Sequence, residues 1–409
     1  QLLSNSVSTA RYQYRFSEYY NSLAVKDLYL PPRLRSREWM FMGWDDRPPR
    51  RHIGFDNPEG LRQILTRSSP PHSCFHSTAY YDRPSEYKMS EKGWRGADLI
   101  FDLDGDHLVG VDALDFPSML NDIQEQAFRL WNDFLEPDFG FKSEFATFSF
   151  SGHRGFHIHY RHPSILHLDS KARQEIVSHI SGSNLNIEMV LGSPEVAWGK
   201  RVRRGVDSVL DRLESYHDSS DADRRLIYKQ LRSSAVLGTA NMSRPPSMSE
   251  KAMMKLAEMS VNSDRRRRLK NSSIQMGRQF GKQGDLFQAL ILGDQSVVLD
   301  QAAENDDNVT VDIRRVIRWV GSLHGKAGLR VTEFPVERLD PDSSIAFDAL
   351  SEAVVFSKQK REIVQLELDD ITARIGNEVI EGSRGDIIEV SEAMAIFLGL
   401  KRWASSIQS

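Results

Sequence analysis

The chain has 409 residues, of which 40% are hydrophobic and 27% are charged, and its formal net charge at pH 7 is -4. It is long enough for two or three domains with large cores, and its composition excludes a collagen-like, disordered or disulfide-rich protein. The single cysteine, Cys74, excludes an internal disulfide and a cysteine-rich metal cluster, and no apolar run is long enough to span a bilayer.

These counts also bear on compartment and partners. The lone cysteine favours a reducing compartment, and the slightly acidic balance argues against a dedicated histone-like DNA binder. Local basic patches decide nucleic-acid binding more than the total charge does, so an enzyme acting on nucleic acid remains open. Because the chain begins at Gln1, we expect its native N-terminus to be missing.

Sequence periodicity divides the chain into three parts. Residues 1–167 and 291–409 mix predicted strands and helices, which indicates an α+β core contributed by two stretches of the chain. Residues 168–290 are dominated by helical patterns and runs of charge, which predicts a largely helical insertion. In the first part, the predicted strands share alternating apolar residues and cover residues 37–42, 50–55, 97–104, 145–151 and 156–160.

Two carboxylates, Asp102 and Asp104, end the clearest predicted strand. Side chains two residues apart leave the same face of a strand and are about 6.6–6.8 Å apart along it. This spacing suits a divalent cation such as Mg²⁺, which takes a few carboxylates together with water and phosphate oxygens. The alternative is a solvated strand end, but the apolar residues before Asp102 make a bare acidic pair costly without a cation.

The next predicted feature is a hairpin around the turn at residues 152–155. Its glycines let backbone N–H groups approach a phosphate, and Arg154 supplies a bidentate fork, so an anion site is one interpretation. His157 and His159 share a face of the second strand and could instead hold zinc, although no third ligand is recognisable. We favour phosphate contact for Arg154 and His157 and a core position for His159.

Residues 306–326 combine acids, a predicted helix and a basic loop. Apolar residues at positions 313, 316, 317 and 320 predict one helix face, with Asp312 at the N-cap. Arg314 and Arg318 would share the opposite face, either as a solvated basic surface or as a cationic wall for a triphosphate. The loop at residues 321–326 adds small, hydrogen-bonding and basic residues, including His324.

Taken together and in this order, the motifs resemble the catalytic small subunit of the archaeal and eukaryotic replicative primase, in its archaeal form. The resemblance is carried by residues 98–104, 151–157, 309–318 and 321–329, and it is weakest across 168–290. It implies an α+β fold, a mixed-sheet archaeo-eukaryotic primase catalytic core with a mostly helical insertion. It also implies a DNA-directed nucleotidyltransferase that makes short primers, of RNA or also of DNA, de novo on single-stranded DNA.

The resemblance assigns roles to single residues. The family's three metal carboxylates match Asp102, Asp104 and one acid of the 306–312 segment, for which we choose Asp306, with Asp312 as the runner-up. The implied cofactor is Mg²⁺ or Mn²⁺ at a two-metal site. The family's triphosphate contacts match Ser151, Arg154, His157, Arg318 and His324, and polar residues lining its catalytic cavity match Glu38 and Arg51.

The implied partners are a primase large subunit in a heterodimer, a single-stranded DNA template, nucleoside triphosphates and the replication machinery, with no membrane. The implied location is the cytoplasm, at the nucleoid of an archaeal cell. Two departures stand out: His153 replaces the second glycine of the family's phosphate loop, and only His107 stands where archaeal members usually carry a zinc knuckle. We therefore expect structural zinc to be absent.

Three alternatives to this function remain at the level of sequence. The nearest is a stand-alone primase–polymerase of the same superfamily, acting in repair or for a mobile element. A metal-dependent hydrolase could be built on His157 and His159. The third is a non-catalytic DNA-binding subunit, against which the intact carboxylates argue.

Overall fold

Helices and antiparallel strands are mixed in the computed structural model, which describes residues 2–45, 47–105, 112–182, 187–190, 197–239, 242, 244–271, 279–294, 297 and 307–407. This confirms the predicted α+β class. The α-helices in these residues are α1 (Leu2–Ser22), α2 (Pro58–Leu65), α3 (Phe116–Arg129), α4 (Glu136–Phe139), α5 (Ser170–Ser181), α6 (Ile187–Val190), α7 (Ala197–Asp218), α8 (Asp221–Gly238), α9 (Glu250–Ser260), α10 (Ser263–Asn271), α11 (Gly284–Leu292), α12 (Asp307–Val311), α13 (Ala349–Glu352) and α14 (Glu392–Leu400).

The strands of the same residues are β1 (Trp39–Met42), β2 (Arg50–Ile53), β3 (Ser73–Ser77), β4 (Ala79–Tyr81), β5 (Trp94–Ala97), β6 (Leu99–Asp104), β7 (Ala146–Phe150), β8 (Gly155–Tyr160), β9 (Val316–Arg318), β10 (Thr332–Phe334), β11 (Arg361–Leu366), β12 (Ile371–Ile375), β13 (Glu378–Gly382), β14 (Ile387–Ser391) and β15 (Ala404–Ser406). None of the described helices combines the length and the apolar composition that crossing a lipid bilayer requires.

The chain forms two compact units. The first comprises Gln1–Arg129, Phe141–Glu175 and Gln301–Ser409, and it contains all the strands given above. The second comprises Leu130–Gly140 and Ile176–Asp300, and the regular secondary structure of its described residues is helical.

Two four-stranded sheets organise the first unit. The N-terminal sheet has the strand order β2-β1-β3-β9, and the central sheet has the order β10-β7-β8-β6. A smaller sheet, β14-β11-β15, and the ribbons β12-β13 and β4-β5 complete the unit. In each of the two four-stranded sheets, every pair of neighbouring strands is antiparallel.

The N-terminal sheet buries the alternating aromatic residues of β1, Trp39 and Phe41, against α1 and α2. Helix α2 begins where the Asn57 side chain accepts a hydrogen bond from the Gly60 backbone, and this N-cap directs its apolar face inward. Cys74 of β3 lies in the same core with no exposed surface. Burial raises the pKa of its thiol to about 12.

The hairpin β7-β8 lies at the centre of the other sheet. All six residues of β8 are buried, because β7 and β6 flank it and both its faces are covered. The turn closes with the Ser151 N–H donating to the Gly155 carbonyl at 2.8 Å. Gly152 has a φ of +83°, a conformation that favours glycine. The predicted hairpin is therefore present at the predicted residues.

The helix predicted across positions 313–320 is wrong. Asp312 is in a turn, where its Oδ1 accepts a hydrogen bond from the Arg314 N–H at 2.8 Å, and it caps no helix. The chain then forms β9, which pairs antiparallel with β3 and sets Arg318 opposite Phe75. Val316, Ile317 and the following Trp319 are β-branched or aromatic residues, which suit a strand that completes the edge of a sheet.

The second unit packs helices around α7, whose buried residues recur at helical spacing from Val202 to Leu213. Close approach of α8 and α11 depends on a glycine at the end of α8. A Cβ atom at Gly238 would come within 1.8 Å of the Ala289 carbonyl oxygen, so a larger residue would force the two helices apart.

Candidate active site

The carboxylates of Asp102 and Asp104 leave the same face of β6, while Phe101 and Leu103, which precede them in turn, are buried. Strand β6 pairs with β8, which sets Asp102 opposite His157 and Asp104 opposite Gly155. The side chain of Asp102 is 18% exposed and that of Asp104 is 39% exposed. Both acids are thus held by a buried strand while their carboxylates remain accessible.

His157 contacts Asp102 directly. Its Nε2 atom lies 3.2 Å from Asp102 Oδ1, and its ring is almost fully buried. Burial acts to raise the pKa of Asp102, but His157 and the guanidinium groups of Arg315 and Arg318 hold that pKa below its usual value. The Asp102 carboxylate is therefore ionised at neutral pH.

Two arginines lie close to the acids. Arg154 Nε is 3.9 Å from Asp104 Oδ1. Burial lowers the pKa of Arg318 to about 10, and the carboxylates of Asp102 and Asp104 oppose that shift. Arg318 is still charged at neutral pH, and its NH1 atom is buried with no hydrogen-bond partner among the described residues. A buried charged donor of this kind favours an anionic ligand.

His324 lies in the loop after β9, and its hydrogen bonding determines which ring nitrogen carries the proton. The Lys326 N–H donates to His324 Nδ1 at 3.0 Å, so Nδ1 accepts. Burial, together with the positive charges of Arg318 and Lys326, holds the pKa of His324 well below its usual value. The ring is therefore neutral and carries its proton on Nε2, which is available as a donor.

Ser151 has a structural contact in the hairpin turn. Its Oγ accepts a hydrogen bond from the Gly155 N–H at 3.1 Å, and the residue is buried. The same oxygen still carries a proton that it can donate. Ser151 thus shapes the loop that holds Arg154.

A cavity of about 890 Å³ lies within the first unit beside these residues. Among its described lining residues, Asp45 is the acid, and the cationic ones are Arg47, Arg154, Arg318, Lys326, Lys401 and Arg402. His153 and His324 line it as well. A cavity with this excess of positive charge attracts polyanions such as a triphosphate.

Three further candidate residues, Glu38, Arg51 and His159, have partners within the protein. Glu38 is buried with Lys92, whose Nζ is 3.2 Å from Glu38 Oε2, and Arg51 Nε donates to its Oε1 at 3.1 Å. His159 is buried, and its Nδ1 lies 3.2 Å from a guanidinium nitrogen of Arg161. Arg161 thus holds the ring of His159 in the core, where it also lies edge-on to the ring of His157, with ring centroids 6.3 Å apart.

Asp306 and His107 lie outside the described residues, and Asp312 is exposed. Helix α12, which begins directly after Asp306, packs against β6, since Val309 forms a cluster with Ile100 and Ile317. Ile100 leaves the same face of β6 as Asp102 and Asp104. Helix α12 therefore packs on the face of β6 that carries the two acids.

No motif in the sequence indicated a role for Arg315, whose charge acts on Asp102, or for the cavity residues Lys401 and Arg402. Lys401 and Arg402 follow an apolar helix, where basic residues are common for their interaction with the helix dipole. That local signal did not indicate that Lys401 and Arg402 line the same cavity as Arg318 and Lys326, which lie more than 70 residues earlier in the chain.

Comparisons with known proteins identify relatives along most of the chain. A family model described as DNA primase small subunit matches residues 101–336. The DNA primase small subunit PriS of Methanocella arvoryzae is 32% identical, with 95% of this chain and 94% of that protein covered. The proteins of the same name from Methanothrix thermoacetophila and Halorubrum lacusprofundi are 33% and 32% identical. Those two alignments cover 94% and 95% of this chain and 95% and 96% of the relatives.

Proposed function

We propose a mechanism for this chain on the premise that it belongs to the DNA primase small subunit family and is the catalytic subunit of a primase. In this proposal it synthesises RNA primers de novo on single-stranded DNA by transferring nucleotides from nucleoside triphosphates to a 3′-hydroxyl. It works in the cytoplasm at the nucleoid. The carboxylates on β6 and the cation-lined cavity beside them support this assignment.

The donor set on β6 fits Mg²⁺ or Mn²⁺. Asp102 and Asp104 offer hard oxygen ligands from one face of one strand, and Mg²⁺ is commonly held by one or two carboxylates plus substrate phosphates. No three His, Cys, Asp or Glu side chains among the described residues are grouped as a metal site, and we propose Asp306, outside those residues, as the third ligand. Bound cations would activate the attacking 3′-hydroxyl and neutralise the charge of the leaving pyrophosphate.

The chain's own side chains position the nucleotide. Arg154 and Arg318 neutralise the triphosphate, with the buried NH1 atom of Arg318 as a donor waiting for an acceptor. His324 donates from Nε2 without carrying charge. His157 holds the carboxylate of Asp102 in place through its 3.2 Å contact. No protein nucleophile is needed, because the 3′-hydroxyl attacks the α-phosphate in line.

The 3.9 Å contact between Arg154 Nε and Asp104 Oδ1 is the observation that carries this proposal, because it supports a phosphate-binding cation next to the proposed metal carboxylates. The test is primer-independent synthesis on single-stranded DNA, with ribo- and deoxynucleoside triphosphates in separate reactions. We expect D102N and D104N to make no product while binding DNA like the parent chain. Asp82→Asn, which changes an exposed ion pair with Arg95, is the matched control and should be active. Synthesis by D102N at the parent rate would overturn the mechanism.

We also propose that the chain functions with a primase large subunit, as the name small subunit of its relatives suggests. The single cysteine cannot supply an iron–sulfur cluster, so any such cluster would belong to the partner. We expect the isolated chain to extend primers but to start them poorly, and added large subunit to raise initiation. Equal initiation with and without the partner would favour a stand-alone primase–polymerase.

A further inference from the structure

We propose that Lys401 is an additional nucleotide-binding residue, which contacts the phosphates of the incoming nucleoside triphosphate and is positioned by His153. This inference rests on the proposed function, because it concerns the same cavity. Lys401 lies well beyond residues 101–336, the part of the chain that the family model matches.

Aromatic rings hold Lys401 at the cavity wall. Its Nζ is 4.4 Å from the ring centroids of Phe116 and Trp403 and 5.6 Å from that of Phe397. Rings at these distances attract the ammonium. The rings therefore favour a position of the ammonium beside the cavity.

The backbone around Lys401 is equally defined. Lys401 directly follows α14 as its C-cap, with its N–H donating to the Phe397 carbonyl at 3.1 Å, and the Trp403 N–H donates to the Leu398 carbonyl at 2.8 Å. Between them, Arg402 has a φ of +61°, a left-handed conformation that a non-glycine residue rarely adopts. This turn brings three consecutive residues, 401–403, to the lining of one cavity.

His153 connects Lys401 to the proposed triphosphate site. Lys401 Nζ lies 3.2 Å from His153 Nε2, and because lysine can only donate, Nε2 accepts. The ring of His153 stacks on that of His324, with centroids 4.8 Å apart and planes 29° apart. Burial, followed by the charge of Lys401, holds the pKa of His153 well below its usual value, so the ring remains a neutral acceptor. The ring of His153 thus lies between Lys401 and His324 and contacts both of them.

Phosphate is the ligand chemistry that this arrangement fits. Arg154, Arg318 and Lys326 line the same cavity as Lys401, and a compact ammonium suits a phosphate oxygen as a point charge. The phosphate could belong to the nucleotide or to the template backbone. We assign it to the nucleotide because Lys401 is joined through His153 to His324, whose Nε2 donor is proposed to contact the triphosphate.

The test is equilibrium binding of ATP to the full chain with Mg²⁺ and without template, so that no turnover occurs. Lys401→Met keeps the apolar stem between the rings and removes the charge, and we expect it to raise the dissociation constant for ATP about tenfold. Lys401→Arg should restore most of the affinity. AMP binding and single-stranded DNA binding should be unchanged. Lys88→Met, at an exposed lysine paired with Glu91, is the matched control and should bind ATP normally.

A double-mutant cycle tests the positioning role of His153. His153→Gly should weaken ATP binding less than Lys401→Met does, and the double variant should bind no more weakly than Lys401→Met alone. Additive losses would overturn the positioning role. Unchanged ATP affinity in a folded Lys401→Met variant would overturn the inference, as would a loss confined to DNA binding, which would assign Lys401 to the template. If the parent chain itself failed to bind ATP, the proposed function would fall first.

Discussion

The guanidinium of Arg37 and the carboxylate of Asp98 form an ion pair, 3.0 Å between NH2 and Oδ2, in which neither side chain is exposed to solvent. Arg161 Nε contacts the same oxygen at 3.0 Å, and the Tyr80 hydroxyl donates to the other. Asp98 directly precedes β6, the strand that carries the proposed metal ligands. This cluster therefore fixes the start of the strand whose end forms the site.

Replacing Asp98 should destabilise the fold strongly. Asp98→Asn leaves the buried charge of Arg37 without its full counter-charge, and breaking a buried pair in this way costs about 3–5 kcal/mol. Urea unfolding measures the loss. Asp82→Asn removes an ion pair that is largely exposed, and it should leave the unfolding midpoint essentially unchanged. Similar midpoints for the two variants would contradict this account of the cluster.

Stability should fall in acid in a way that depends on Asp98. Burial would raise its pKa, but Arg37, Arg161 and Tyr80 hold it below its usual value. A lowered folded-state pKa contributes stability that is complete above the unfolded pKa of about 4 and is lost as pH falls through the folded value. The free energy of unfolding, measured between about pH 6 and 3, should decline less steeply in Asp98→Asn than in the parent chain. Parallel curves would show that Asp98 is not a source of the acid sensitivity.

Arg154→Lys should impair nucleotide use despite keeping the charge. A lysine cannot form the two parallel hydrogen bonds that a guanidinium offers to a phosphate. We expect the KM for the nucleoside triphosphate to rise about tenfold, the effect of one lost charge-assisted hydrogen bond, and turnover to decrease. Steady-state extension of a primed template gives both constants. Arg95→Lys, at an exposed arginine, is the control, and an unchanged KM in Arg154→Lys would leave Arg154 with a role in the turn only.

The acid at position 306 and the acid at position 312 should behave differently. Asp306→Asn should abolish synthesis with little loss of stability, because a metal ligand contributes charge rather than packing. Asp312→Asn should retain activity and cost at most about 1 kcal/mol, since its carboxylate accepts one backbone hydrogen bond in an exposed turn. Synthesis and urea unfolding of both variants decide the question. Loss of synthesis in Asp312→Asn alone would make Asp312 the third carboxylate.

The sequence pattern correctly predicted those segments whose periodicity is compatible with only one type of secondary structure. The alternation that ends in Asp102 and Asp104, and the glycine turn beside Arg154, each specify a strand or a hairpin without help from the rest of the chain. The segment at 313–320 was ambiguous, because apolar residues at those positions fit a helix face as well as a strand. The open edge of β3 decided in favour of a strand, and that edge is a tertiary feature.

Site residues could be predicted only where a side chain suited to bind metal or phosphate also lies within a recognisable sequence motif. His157, Arg318 and His324 were identified from motifs, and the structure brings them to one region of the first unit. The contacts between Lys401, His153 and Phe116 join segments that lie far apart in the sequence. No spacing rule describes such a contact, because it depends on how the smaller sheet and α14 pack.

The burial of Cys74 has a practical consequence. This is the only cysteine of the chain, it has no exposed surface, and its thiol pKa is raised to about 12, so almost no reactive thiolate forms at neutral pH. Maleimides and iodoacetamide should therefore not alkylate Cys74 in the folded protein. A cysteine introduced at an exposed position such as Lys88 would be the one labelled, which gives fluorescence studies of primer synthesis a clean background without any cysteine having to be removed.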